Sequence, residues 1–316
     1  MSVGWTYDDI FLKHLTGPEH PESPERLRTI TAALRQAGLL ARLQDISFEP
    51  ARPEDVCGIH DEAYVELLRL ACEHGMTFIG SSETCICPRS YEVAMAAAGA
   101  VLAACDAVMA GRVRRAFCAV RPPGHHALRD CAGGFCLLNN VAIAADHLLR
   151  RHGLRRVAIV DFDAHHGNGT QQAFEEHGGV LYISLHQHPW CGFPHTGYAG
   201  ETGRGKGAGL IVNIPLPPGS DEAAYMEALE KQALGRLQQF APEFLLLSAG
   251  FDASHLESLA RMNLKPESFG KLTAILAAAA DQHCRGRIVS VLEGGYHLNS
   301  LGRSAAAHVR ALMDGQ

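Results

Sequence analysis

Asp163 and His165 stand two residues apart directly after the apolar run Val157-Ala158-Ile159-Val160. A spacing of two puts both side chains on one face of an extended chain, so they can point at one ion. Asp252, which follows a second apolar run, offers a third ligand. Two carboxylates and one imidazole leave a tetrahedral zinc with one open position, the catalytic rather than the structural pattern. Zinc held in that way acidifies a bound water and polarises a carbonyl oxygen. The alternative is a hydrogen-bonded Asp/His cluster with no metal. Buried carboxylates without partners are costly, and that favours a cation.

Two further sets of residues could act on a substrate beside such an ion. His125-His126 follow Pro122-Pro123-Gly124, a rigid turn able to aim both imidazoles into a cleft. A neutral imidazole is the natural general base near pH 7, and its second nitrogen needs an orienting partner. Asp161 and Asn168 are the available partners. Tyr296 follows Gly294-Gly295, so its loop can bring a phenol close to a bound substrate, where it would stabilise an oxyanion. Taken alone, each of these reads as a loop histidine pair or a packed tyrosine.

Strand ends must position these groups. Nearly continuous apolar runs at Ala116–Arg121, Val157–Asp161, Val180–Leu185, Phe244–Ala249 and Ile288–Leu292 predict strands buried on both faces. Periodic stretches at Ser90–Gly111, Ala223–Phe240 and Ser268–Arg285 predict helices. This alternation predicts one parallel α/β sheet with helices on both sides, and His, Asp, Gly and Tyr collect where the strands end. The segment His186-Gln187-His188 is read as a rim or channel loop rather than an extra ligand set.

Composition narrows the setting. The chain has 316 residues, 47% of them apolar and 20% charged, ordinary values for a globular enzyme. A formal charge of −6 offers no basic patch for nucleic acid. The apolar runs are read as falling short of the ~20 residues that span a bilayer. The N-terminal residues lack a basic stretch followed by an apolar block, and a cytoplasmic location is expected. The ten cysteines lack paired spacing and are expected to be mostly small, buried apolar residues.

Together, Pro122-Pro123-Gly124-His125-His126, Gly134-Phe135-Cys136, Asp161-Phe162-Asp163-Ala164-His165-His166-Gly167-Asn168-Gly169-Thr170, Gly250-Phe251-Asp252 and Glu293-Gly294-Gly295-Tyr296 strongly resemble the histone deacetylase family. The likeness begins near His20-Pro21-Glu22-Ser23-Pro24-Glu25-Arg26 and is nearest to class II-like bacterial deacetylases and acetylpolyamine amidohydrolases. It implies a single α/β catalytic domain over residues 1–316, with the arginase–deacetylase fold and an eight-stranded parallel sheet. It implies zinc on Asp163, His165 and Asp252, with Tyr296 polarising the acyl carbonyl. His126 would serve as general base toward a metal-activated water and then protonate the leaving amine, with His125 as its electrostatic neighbour. Asp161 would partner His125 and, with Ser184 and Leu185, help to hold a structural potassium ion. Phe135 and Phe193, beside Gly134, would wall a narrow channel, with Arg26 near its inner end. The substrate implied is an acylated lysine side chain or similar acylated amine, and a homo-oligomer is left open.

The chain departs from the family pattern in places. Asn168 stands where class I members carry aspartate, which gives His126 a neutral partner. His255-Leu256-Glu257-Ser258-Leu259 lacks the usual Asp-Pro, and Leu259 falls where a polyamine-selective member carries an acidic residue. That favours acyl-lysine over free polyamine, although Glu257 lies nearby. Competing readings are a two-manganese ureohydrolase of the arginase type, for which carboxylates are too few, and a non-catalytic acyl-lysine binding module, which should have lost a site residue.

Overall fold

The computed structural model describes residues 2–314; Met1, Gly315 and Gln316 of the expected 1–316 domain lie outside the described residues. In chain order the strands are β1 (Val3–Thr6), β2 (Gln44–Asp45), β3 (Phe78–Ile79), β4 (Ser81–Cys85) and β5 (Arg115–Cys118). They continue with β6 (Val157–Asp161), β7 (Val180–Gln187), β8 (Ile211–Leu216), β9 (Phe244–Ala249) and β10 (Ile288–Leu292). The helices begin with α1 (Glu25–Gln36), α2 (Pro53–Val56), α3 (Glu62–Glu73), α4 (Ser90–Met109) and α5 (Asn140–Arg150). They end with α6 (Asn168–Phe174), α7 (Glu222–Ala228), α8 (Leu234–Phe240), α9 (Pro266–His283) and α10 (Leu298–Asp314).

Eight strands form one sheet in the order β2-β1-β5-β10-β9-β6-β7-β8, and every pairing in it is parallel. All residues of β5, β6, β7, β9 and β10 are buried, as helices on both faces require. Phe117 meets His308 of α10, whereas its neighbour Cys118 turns toward Cys105 of α4. Alternate residues of one strand thus serve the two helical layers. After β6 the chain moves outward through β7 and β8, then returns to lay β9 on the other side of β6. Connections therefore leave in opposite directions from the β6/β9 pair, a switch point where a crevice opens beyond the strand ends.

Several expected boundaries shift. The strand expected over 116–121 is Arg115–Cys118; Pro122 and Pro123 follow closely, lack ladder donors and restrict the residue ahead of them. The strand expected to end at Leu185 continues to Gln187, because β8 stays paired through His186↔Pro215 and Gln187↔Leu216. The helix expected over 223–240 is a helical path with a π segment at Leu229–Ala233 between α7 and α8, ending at Ala241 with φ +48. The expectation that the apolar runs fall short of the bilayer-spanning length meets one helix that reaches it. α4 passes by length and composition, yet 78% of its apolar window is buried inside the protein. All ten cysteines are free thiols, five buried and five partly buried.

Candidate active site

Beyond β6 and β9 the three candidate ligands converge, with donor atoms of Asp163, His165 and Asp252 all within 4.8 Å of one another. His165 Nδ1 lies 3.2 Å from Asp163 Oδ1 and 2.9 Å from Asp252 Oδ2. The far side of the cluster is fixed by backbone donors. Gly294 N–H donates to Asp163 Oδ2 (2.8 Å), and Ala164 N–H donates to Asp252 Oδ1 (2.8 Å). A Cβ on Gly294 would collide with both carboxylates, so the position needs glycine. The Leu259 carbonyl can only accept, so His165 Nε2 donates to it (3.2 Å). In the neutral ring that leaves the Nδ1 lone pair facing two carboxylates, a crowding that a metal ion, or a proton on Nδ1, relieves. Charge tells the same story. Burial and the adjacent Asp163 push Asp252 up to about 6. His165, against the cost of burial, is raised well above the usual imidazole range by Asp252 and Asp163. The donor set fits zinc.

His125 and His126 come from the loop after β5 and divide their tasks. His125 Nδ1 donates to Asp161 Oδ2 (3.0 Å), which also accepts from Tyr182 Oη (3.0 Å). Despite its burial, Asp161, Asp163 and Glu293 carry His125 up to about 10, so it is a cation at neutral pH. His126 Nδ1 donates to Asn168 Oδ1 (2.8 Å), which leaves its Nε2 with the lone pair. Burial, with His125 and His165 beside it, pushes His126 well below the usual range, so it stays a free base. Both depend on Glu293, whose Oε2 accepts from Gly124 N–H (2.7 Å) and His125 N–H (3.1 Å).

A cavity of about 260 Å³ opens over this floor, lined by Glu83, His126, Gly134, Phe135, His165, Phe193, Leu259 and Tyr296. Phe193 stands edge-on to the His126 ring at 4.8 Å, and Phe135 edge-on to Tyr296 at 5.6 Å. Gly134 has φ +54, and a Cβ there would strike the His126 ring and Phe193. Tyr296 is held by its own backbone: Glu257 Oε2 accepts from Tyr296 N–H (2.8 Å) and His297 N–H (3.1 Å). The Arg26 guanidinium lies over the far side of its ring, 4.9 Å from the centroid.

The histone deacetylase domain matches residues 20–312 of this chain. The chain belongs to the histone deacetylase family. A histone deacetylase-like amidohydrolase of Pseudomonas aeruginosa is 41% identical over 309 residues, covering 92% of this chain and 80% of that protein. The polyamine deacetylase HDAC10 of Homo sapiens is 40% identical over 301 residues, 92% of this chain and 44% of that longer protein. The crystal structure of the HDA15 HD domain superposes with a TM-score of 0.92 at 35% identity, over 99% of this chain and 88% of that one. Histone deacetylase membership makes this chain a member of a metal-dependent deacetylase/amidohydrolase family acting on acetylated amines.

Not every expected residue of this deacetylase domain lines the cavity. Arg26, expected in the channel, is wholly buried behind Tyr296, where it donates to the carbonyls of Gly295 (2.7 Å) and Glu293 and to Glu22. His186, expected in a rim loop, is the buried end of β7, bonded to Ser184 Oγ (2.7 Å) and the Gly197 carbonyl (2.9 Å). It lies in the strand because β8 pairs beyond it. Asp161 and Ser184 are partners in strand register, with Leu185 next. Both carboxylate oxygens of Asp161 and the hydroxyl of Ser184 are hydrogen-bonded within the protein. Glu83, Tyr182 and Glu22 are site residues the sequence reading missed. Glu83 sits among polar residues and Tyr182 inside an apolar run, and only Glu22, within the early His-Pro-Glu motif, carried a signal.

Proposed function

We propose that this protein hydrolyses the amide of an acylated lysine side chain or similar amine, using a zinc ion held by Asp163, His165 and Asp252. One observation carries the reading: a single cavity presents the ligand His165, the free base His126 and the phenol Tyr296 between two aromatic walls. Zinc bound there supplies Lewis-acid polarisation of the acyl carbonyl and lowers the pKa of a water toward neutrality. The protein does the rest. Phe135 and Phe193 take the methylene chain of the amine between their faces and exclude water from it. His126 Nε2 accepts the proton of the attacking water and returns it to the leaving nitrogen, while Asn168 keeps the ring in the tautomer that allows this. The Tyr296 hydroxyl donates to the oxyanion that develops on the acyl oxygen. Burial holds that phenol well above its ordinary pKa, so the proton stays available. His125, cationic and tied to Asp161, holds positive charge beside His126 and discourages its premature protonation. A structural potassium ion held by Asp161, Ser184 and Leu185 belongs to the same reading, and no step uses it.

The amine portion is read from the mouth. Leu259 presents an apolar side chain there, and Glu257 spends its carboxylate on the Tyr296 loop, which favours acyl-lysine. Glu83 favours the second reading, an acetylated polyamine, because it lines the same cavity and its carboxylate could meet a distal ammonium. Released amine, measured across acetyl-lysine peptides, longer acyl-lysine peptides and acetylated polyamines with and without a hydroxamate chelator, tests both. Hydroxamate-sensitive turnover, fastest on acyl-lysine and little changed by Glu83→Gln, is the expected result. Fastest turnover on polyamines, with KM rising several-fold in Glu83→Gln, would move the assignment to the second reading. No hydroxamate-sensitive turnover of any amide by the zinc-loaded protein would reject both.

A further inference from the structure

Away from the strand ends, three more donors meet on the outside of the α4–α5 pair. Asp106 lies in the last turn of α4, His147 in the last turn of α5, and His152 just past the end of α5. Both imidazoles aim Nε2 at the same oxygen, Asp106 Oδ1, each at 2.7 Å. Their rings stand 5.2 Å apart at 73°, and the three donor atoms lie within 4.8 Å of one another. Two helices and a turn therefore deliver convergent donors from three points in the chain.

We propose that Asp106, His147 and His152 form a second site for a divalent transition cation, independent of the strand-end cluster. Two imidazoles and one carboxylate are a zinc donor set with one position left open, and imidazole selects zinc, nickel or cobalt over magnesium and calcium. Bonds of about 2.0–2.2 Å to a tetrahedral ion place ligand atoms roughly 3.3 Å apart. The present 2.7 Å contacts need to open by only about half an ångström, well within the reach of side chains that retain exposure. Side-chain exposure is 14% for His147, 25% for His152 and 48% for Asp106, so an ion can reach them without unfolding anything. Asp106 and His147 also line a surface cleft of about 410 Å³, which gives an entry path and room for water at the open position. The neighbouring arginines do not oppose the charge directly, since Arg150 is paired with Asp146 (3.0 Å) and Arg151 with Asp55 (3.8 Å). Binding replaces the two imidazole N–H donors by lone pairs directed at the ion. It would clip α4 to α5 and stabilise the folded chain by mass action.

The test is zinc content and melting temperature of tag-free full-length protein equilibrated with Zn2+, in the wild type, in a His147→Ala/His152→Ala variant and in Asp106→Asn. The wild type is expected to hold one zinc per chain more than either variant, and added Zn2+ should raise its Tm further than theirs, which keep only the strand-end site. Because the readout is a difference between proteins, a failure of the strand-end site would lower all counts together and leave the difference intact. Asp106→Asn keeps the shape of the cluster, so it remains informative if the double variant folds poorly. Equal zinc counts in all three proteins, with equal Tm responses, would overturn the proposal.

Discussion

Two buried charge clusters lie back to back in this molecule, and they are balanced in different ways. In one, Glu22 is bracketed by Arg26 (3.0 Å) and Arg121 (2.5 and 2.7 Å), all without exposure. Although burial opposes it, these guanidiniums hold the Glu22 carboxyl down at about 2. In the other, Asp161, Asp163, Asp252 and Glu293 are equally buried, yet their nearest cationic partners are imidazoles. There burial lifts Asp252 to about 6 and Glu293 to about 7, while Asp163, although burial opposes it, is held well below the usual carboxylate range by His125 and His165. The first cluster brings permanent counter-charges with it and has nothing left to bind. The second lacks them, and that shortage is what makes it a place for an ion.

Substitutions can break or sharpen this contrast. The largest effect is expected from Asp252→Asn, which removes a ligand and its charge. Zinc content should fall toward zero at this site, and kcat by roughly three orders of magnitude, the value of several kcal/mol of charge stabilisation. Retained zinc and turnover would mean the cluster is not the metal site. Tyr296→Phe should lower kcat by about 10²–10³ with KM little changed, as loss of one oxyanion donor does; a change confined to KM would remove Tyr296 from the chemistry. Glu22→Gln addresses the self-balanced cluster and should cost about 3–5 kcal/mol in denaturant unfolding, since it strands two buried guanidiniums. Near-wild-type stability would show that this cluster does not need its carboxylate charge.

The smallest effect is expected where a buried group has no counter-charge at all. Burial alone pulls His308 down to about 3, and Thr273 and Ser290 hold its two nitrogens at 2.6 and 2.8 Å. The unfolded chain takes up a proton near pH 6.5 that the folded chain refuses, so this contribution to stability is present above that pH and lost as pH falls toward 3. His308→Leu should flatten the dependence of Tm on pH across that window. An unchanged slope would place the acid sensitivity elsewhere.

What could be read in the sequence follows from how each feature is built. β6, β9 and β10 stand where they were expected, because full burial on both faces makes their apolar runs continuous. The polar residues after those runs mark the crevice for the same reason. The edges were silent. β2 has two residues, and β8 is interrupted by Asn213 and Pro215, which an edge strand tolerates. Contacts that join distant segments were equally hidden. Glu293 was visible as part of a motif, but not that it ties Gly124 and His125 in place. Glu257 stood out as a stray acid near the mouth, whereas it anchors the Tyr296 backbone. Such partners are fixed by tertiary placement, and local spacing carries no trace of them.

The most direct test of the central claim is to strip the protein of metal and titrate it with Zn2+ while following amine release, in the His147→Ala/His152→Ala background so that the surface cluster does not compete. The account predicts no turnover without metal, a rise that saturates at one zinc per chain, and no recovery in a protein that also carries Asp252→Asn. Full turnover by the metal-free protein, or equal recovery with Asp252→Asn, would contradict it.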